Sequence, residues 1–191
     1  MNRNEMNRTR TKEDIRHMFI EQLQTKGIDA IRISDLCKNA KVSKSNFYNY
    51  YDDKYAVLEE IENELLKGVA ELNKNAAFVS LKNHKKGEPF PLFYETAEYI
   101  HMNGIYFKAL LGPNGDPSFI FRWKKQMKAD IRANIVAEAN PVYDPDILTE
   151  LIASAIVGLY TFWLYEKPAL SSQEISEIGE RTLFGSLYNY T

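Results

Sequence analysis

Between residues 58 and 76, Leu58, Ile61, Leu65, Val69, Leu72 and Ala76 step by three and four. That spacing lines one face of an α-helix and has no counterpart in a pleated strand. One long helix starting near Lys54 follows from it. The same period recurs through most of the chain beyond Tyr51, and no stretch alternates apolar and polar residues between hairpin turns, so the chain is predicted to be all-α. A polar, lysine-rich connector at residues 82–88 leads to a helix over 90–102 that Gly104 ends. A short apolar segment at 105–111 then runs into the turn Gly112-Pro113-Asn114-Gly115. Asp116-Pro117 and Asp144-Pro145 are start signals, because aspartate caps free N–H groups and proline suits the first helical position. Phe119, Trp123, Met127, Ile131 and Ile135 follow the first of these at spacing four. Residues 147–165 follow the second, with Pro168 as the stop. Ser171 and Glu174 have the spacing of a capping box for a last helix over 173–188.

At 191 residues the chain holds either one compact unit or a small domain joined to a larger one. Its most apolar run, residues 151–165, falls short of the roughly 20 residues a membrane-spanning helix needs, and reads as a buried helix; no membrane association is expected. Cys37 is the one cysteine, so no intrachain disulfide can form, and the N-terminus lacks the apolar core of a signal peptide. A cytoplasmic protein is expected. His17, His84 and His101 stand apart, no His/Cys/carboxylate spacing fits a metal, and no glycine-rich phosphate loop follows a strand. Catalysis, a metal and a cofactor are therefore not expected.

Residues 33–51 read ISDLCKNAKVSKSNFYNYY, two short amphipathic helices joined by a tight turn. Ile33, Leu36, Cys37 and Ala40 share a face, and the small Cys37 and Ala40 admit a second helix at close range. Val42 fills the corner, Ser43 caps the next helix, and Phe47 points back to the core. This is the pattern of a helix-turn-helix, whose second helix presents its first turn, here Lys44, Ser45 and Asn46, to base edges. Tyr48, Asn49 and Tyr50 face outward, and Lys54 and Ser34 lie where helix starts can meet phosphate. Overall charge is −2, but residues 1–58 carry eleven Lys/Arg against eight Asp/Glu, leaving the excess of acid to the rest. DNA affinity must therefore come from a local patch. Arg3, Arg8, Arg10 and Lys12 ahead of the first helix and Lys38, Lys41 and Lys44 around the turn supply it.

The ordered series Arg10, Ile15 to Phe19, Lys26-Gly27, Ile33 to Leu36, Ala40 to Ser43, Phe47-Tyr48, Tyr51, Lys54 and Leu58 resembles the N-terminal domain of the TetR family of transcriptional regulators. Lys41 departs from the pattern, since the family usually has glycine there. The resemblance implies a DNA-binding domain at 1–58, with Ser34, Lys41, Ser43, Lys44, Ser45, Asn46, Tyr48, Asn49, Tyr50 and Lys54 at the DNA. It implies a helical regulatory and dimerisation domain at 59–191. The run Tyr106 to Phe119 resembles the subfamily that includes activators of dihydroxyacetone kinase genes.

Seventeen of the 24 aromatic residues follow Pro89, enough apolar area for a core, an interface or a ligand cavity. The family places an effector among the middle helices, which makes Phe107, Leu111, Phe119, Trp123, Met127, Tyr160 and Trp163 the candidates, with His101 and Arg122 as polar groups nearby. It pairs the last two helices with those of a second subunit, so the small residues Ser154, Ala155, Gly158, Gly179, Thr182 and Ser186 are candidates for a homodimer interface. The expected protein is a ligand-responsive repressor that binds a palindromic double-stranded operator as a dimer. The alternative is a coregulator that uses the same fold to hold a protein partner.

Overall fold

In the computed structural model, which describes residues 3–76, 91–133 and 144–188, nine α-helices and no strand occur among the described residues. They are α1 (Arg3–Thr25), α2 (Ile33–Asn39), α3 (Lys44–Tyr48), α4 (Lys54–Ala76), α5 (Pro91–Met102), α6 (Gly104–Leu111), α7 (Pro117–Ile131), α8 (Pro145–Glu166) and α9 (Ser172–Tyr188), with a 3-10 turn, Ile28–Ala30, ahead of α2. The all-α expectation is met. The connector at 82–88 and Ile135 lie outside the described residues.

Capping chemistry sets the helix starts. The Asn46 N–H donates to Ser43 Oγ at 3.0 Å, the Ala56 N–H to Asp53 Oδ1 at 2.9 Å, and the Asp146 and Ile147 N–H groups to Asp144 Oδ1 at 2.7 and 3.3 Å. At α9 the Glu174 N–H donates to Ser171 Oγ at 3.2 Å, and the Ser171 N–H donates back to Glu174 Oε2 at 2.8 Å, completing the capping box.

The start of α1 differs from the sequence reading, as does Gly104, which opens α6 after α5 has ended at Met102. The basic residues Arg8, Arg10 and Lys12 lie within α1 rather than ahead of it, because the helix already begins at Arg3. Residues 5–10 are all exposed and the first buried side chain of α1 is Ile15. These turns therefore lack the buried face on which a periodicity argument depends.

Contacts along the chain define two compact units, Met1–Leu65 with Ile105–Pro117, and Leu66–Gly104 with Ser118–Thr191. Helix α4 contributes to both. The core of the first unit includes Ile15, Phe19, Ile20 and Leu23 of α1, Leu36 of α2, Phe47 of α3, Val57 and Ile61 of α4, and Phe107 and Leu110 of α6. Gln24 ties α1 to the α6 segment: its Nε2 donates to the Ile105 carbonyl at 3.1 Å, and Asn114 Nδ2 donates to the Gln24 carbonyl at 3.0 Å.

In the second unit, α7 buries Phe119, Trp123, Met127 and Ile131, and α8 buries Ile152, Ala153, Ile156, Val157, Tyr160 and Trp163. Helix α8 is 22 residues long with a mean hydropathy of 1.7 in its most apolar window. Length and composition alone would let it cross a bilayer, but this buried face packs within the unit.

Glu150 of α8 takes hydrogen bonds from Lys124, from Lys128 at 2.8 Å and from Ser154 at 3.2 Å. The lysine bonds, Lys124 first, hold its carboxyl down to about 2 from 4.5. A lowered carboxyl pKa adds stability that is complete above pH 4.5 and is lost as the pH falls towards 2. Because Glu150 is solvent-screened, the contribution is small and salt-sensitive. In urea denaturation the wild type should exceed Glu150→Gln at pH 6, with the gap closing on acidification; an undiminished gap at pH 2 would refute this.

Candidate nucleic-acid interface

Helix α2 presents Leu36 and Cys37 to the core, and Ala40 closes its last turn with 7 % exposure. Its end is a Schellman motif: the Val42 N–H donates to the Cys37 carbonyl at 3.0 Å and the Lys41 N–H to the Lys38 carbonyl at 3.3 Å. That motif needs a left-handed residue, which is Lys41 at φ 56°, the one non-glycine residue with positive φ among the described residues. A side chain in this conformation costs roughly 1–2 kcal/mol, while glycine loses about 0.5–1 kcal/mol through chain entropy. Lys41→Gly should therefore raise stability by about 0.5–1 kcal/mol in chemical denaturation. A variant less stable than the wild type would show that the left-handed turn is not strained.

Ser43 starts α3, and the five residues of that helix divide cleanly. Phe47 is fully buried, whereas Lys44, Ser45, Tyr48 and the following Asn49 are exposed; Asn46 and Tyr50 are half-buried. Tyr48 keeps 54 % of its surface in solvent although its ring meets Phe47 edge-on at 5.4 Å. Ser34 is exposed on the first turn of α2. A short helix with a polar, solvent-facing first turn is the arrangement that inserts into a major groove.

Behind α3 a polar network joins α1 and α4. The buried Tyr51, 5.8 Å from the Phe47 ring, donates its hydroxyl to Glu60 Oε1 at 3.2 Å. Lys12 meets Glu60 Oε2 at 2.7 Å, and Arg16 reaches Glu64 at 2.6 Å and Glu60 at 3.7 Å. Burial, reinforced by the Glu60 charge, pushes the Tyr51 hydroxyl well above its usual pKa, so it remains a donor. Lys54 has a fastening role that sequence reading missed: its Nζ donates to the Asp29 and Ile31 carbonyls at 3.0 and 3.1 Å, pinning the turn ahead of α2. Backbone carbonyls leave no trace in side-chain pattern, so no sequence signal marks these bonds.

Beside this surface lies a groove of about 570 Å³, lined on α1 by Asn7, Arg10, Thr11, Asp14, His17 and Met18, on the turn by Asn39 to Val42, and on α3 by Asn46. Arg8 of α1 sits 6.0 Å above the Tyr50 ring.

The remaining candidates are spread over both units. Phe107 and Leu111 are buried in the first. In the second, the rings of Phe119, Trp123, Tyr160 and Trp163 follow one another at 6.1, 6.2 and 6.3 Å, and His101 stacks on Trp163 at 6.0 Å; Met127 is buried on the same helix as Trp123. Ser154, Ala155, Gly158 and Thr182 are exposed. Gly179 is buried, where an added Cβ would come within 3.1 Å of Leu159 and 3.2 Å of Phe93. The side chain of Ser186 is outside the described residues.

An all-helical chain with a capped, outward-facing second helix in its N-terminal unit is a protein of the helix-turn-helix class. Residues 20–61 match the family model described as bacterial regulatory proteins, tetR family, and residues 87–185 match that described as transcriptional regulator C-terminal region. The chain belongs to the TetR family of bacterial transcriptional regulators, which are DNA-binding proteins and not enzymes. It is 21 % identical over 164 residues to the uncharacterized HTH-type transcriptional regulator YxbF of Bacillus subtilis (strain 168), covering 85 % of this chain but 42 % of that protein. The chain thus spans about two fifths of the length of this curated relative. Among solved structures, the TetR transcriptional regulator from Streptococcus agalactiae 2603V shares the fold at TM-score 0.64 and 20 % identity, covering 94 % of this chain and 97 % of that one. Thermus thermophilus FadR, a TetR-family repressor in complex with lauroyl-CoA, shares it at TM-score 0.50 and 20 % identity, covering 91 % and 93 %.

Proposed function

We propose that this chain is a cytoplasmic, dimeric repressor that binds a palindromic operator and releases it when a small molecule binds. The observation that carries the reading is the first turn of α3, where Lys44 and Ser45 are exposed and Asn46 is half-buried, on a helix anchored by Phe47. In this reading Lys44, Ser45 and Asn46 read bases, Ser34, Lys41, Ser43, Tyr48, Asn49 and Tyr50 meet the DNA around them, and Lys54 orients the start of α2 while adding positive potential.

A second copy of the chain is the partner for α8. Ile147, Leu151, Ala155, Gly158 and Phe162 recur at spacing three and four and are all exposed, with Ser154 beside them. Gly158 has open space around it, so another helix can approach closely. Thr182 and the exposed Ile178 extend this surface on α9. The regulatory and dimerisation part is then 59–191.

The effector site centres on the aromatic series Phe119, Trp123, Tyr160 and Trp163 of the second unit, with Met127 on the same helix as Trp123. The lauroyl-CoA bound by T. thermophilus FadR makes lauroyl-CoA the first probe. Both tryptophans of the chain are among these candidates, so intrinsic fluorescence reports on the site. The effector acts by preferring a state in which α4 is displaced. Since Glu60 and Glu64 of α4 hold Tyr51 and Arg16, such a displacement reaches α3. Carrying the population from 1:99 to 99:1 takes roughly 5.5 kcal/mol of differential binding. In this reading the resemblance of the run Tyr106 to Phe119 supports kinship with the subfamily that includes activators of dihydroxyacetone kinase genes.

Fluorescence anisotropy on the upstream intergenic duplex and on a scrambled duplex, over a range of salt, tests the proposal. Selective binding that weakens steeply with salt is expected. Equal, weak binding to both would favour the coregulator alternative.

A further inference from the structure

Residues 5–10 of α1 are all exposed and contribute no side chain to the core. From Arg3 to Asp14 the helix precedes its first buried side chain, Ile15, over a length of roughly 18 Å at 1.5 Å per residue. Isolated helices this short are marginal in water. Two threonine hydroxyls bond back to carbonyls one turn earlier, Thr9 to Glu5 at 3.0 Å and Thr11 to Asn7 at 2.8 Å, without linking these turns to the rest of the unit. Arg8 does make such a link, over the ring of Tyr50.

The distribution of paired and unpaired cations is more specific. Lys12, Arg16 and Lys54 are consumed internally, by Glu60, Glu64 and the Asp29 and Ile31 carbonyls. The side chains of Arg10 and Lys41 have no ion-pair or hydrogen-bond partner among the described residues, and the two line opposite walls of the 570 Å³ groove. Asn7, Thr11, Asn39 and Asn46 add neutral hydrogen-bonding groups between them. Asp14 is the one carboxylate in the lining, a turn further along α1 than Arg10; His17, next along the wall, lies 3.8 Å from Glu21. Two free cations facing each other across amide and hydroxyl groups suit a phosphodiester.

We infer that the groove between α1 and the α2–α3 turn seats the sugar–phosphate backbone of one DNA strand, with Arg10 and Lys41 gripping it from opposite sides and Arg8 extending the contact along α1. This rests on the proposed DNA reading and deepens it. Asn46 lines the groove and also belongs to the turn of α3 set against base edges, so the groove opens at the margin of the major groove, where a strand must pass. The clamp positions the protein without reading sequence. Phosphate neutralisation releases counterions, about 0.9 in the slope of log K against log salt for each phosphate contacted.

The test is anisotropy titration of the full chain on operator and scrambled duplexes at several salt concentrations. Arg10→Gln should weaken both about 5-fold or more at low salt and lower the slope by about 0.9, and Arg10→Gln with Lys41→Gln should lower it by about 2. The operator-to-scrambled ratio should stay at the wild-type value. Asp14→Asn should tighten both duplexes, and Lys125→Gln, exposed on α7 in the other unit, should change neither. An Arg10→Gln protein with the wild-type slope, or with an altered operator-to-scrambled ratio, would overturn the clamp while leaving the regulator intact. A wild type with no salt-dependent duplex binding would overturn both.

Discussion

Phe47→Ala should destabilise the first unit by about 3–5 kcal/mol, the range found when a fully buried phenylalanine is emptied from a core. Phe47 has no exposure and meets Tyr48 at 5.4 Å and Tyr51 at 5.8 Å, on a helix of five residues that is too short to hold itself. Its ring is the attachment of α3 to the rest of the unit. For a unit of this size such a loss lowers the melting temperature by 10 °C or more at about 4–8 °C per kcal/mol. DNA binding should disappear with it. Tyr48→Ala one residue later makes the control: that side chain is 54 % exposed, so stability should change by about 0.5 kcal/mol or less, while operator binding falls. Circular dichroism melts of the two variants check the contrast. A Phe47→Ala protein within about 1 kcal/mol of wild type would mean that α3 is held by something other than its ring.

Leu151→Asp should convert the proposed dimer to a monomer and weaken operator binding by about 100-fold or more. Leu151 is 63 % exposed in the single chain, between Ile147 at 61 % and Phe162 at 53 %, with Ala155 and Gly158 along the same stripe. A run of large apolar side chains exposed along one helix face marks an interaction surface. A carboxylate at the centre of the paired surface would be buried without a partner charge. The DNA effect follows because two linked half-site contacts exceed one by 10²–10⁴-fold through effective concentration alone. Since the stripe is solvent-exposed in the monomer, the fold should survive, and sedimentation equilibrium gives the mass directly. A Leu151→Asp chain that sediments as a dimer would place the interface on another surface, and a monomeric wild type would overturn the dimer itself.

The parts legible in the sequence are those governed by neighbours three or four residues apart. Ser43, Asp144 and the Ser171/Glu174 pair cap where they were expected to, because a cap is a local contest between a side chain and the first free N–H groups. Phe47 was legible as core, and Lys44, Ser45 and Tyr48 as surface, from a single turn of helical geometry. Lys41, at the position where the family usually has glycine, takes the left-handed φ of 56° that glycine favours.

Other features depend on which distant segments meet. Lys54 binds carbonyls 23 and 25 residues away, and Gly179 is filled by Leu159 and Phe93. The α6 segment counts with the first unit although it is separated from it in sequence by 39 residues, 66–104. Arg8 and Arg10 are helical because nothing in residues 3–14 breaks a helix, yet without an apolar face no period announces it. By itself, then, the sequence determined the helical class, the caps and the helix-turn-helix, all set by local spacing and backbone hydrogen bonding. Only the tertiary structure decided which cations stay free, which glycine is packed and which apolar stripe faces water, since a charge is neutralised or a surface covered by whatever the fold brings beside it.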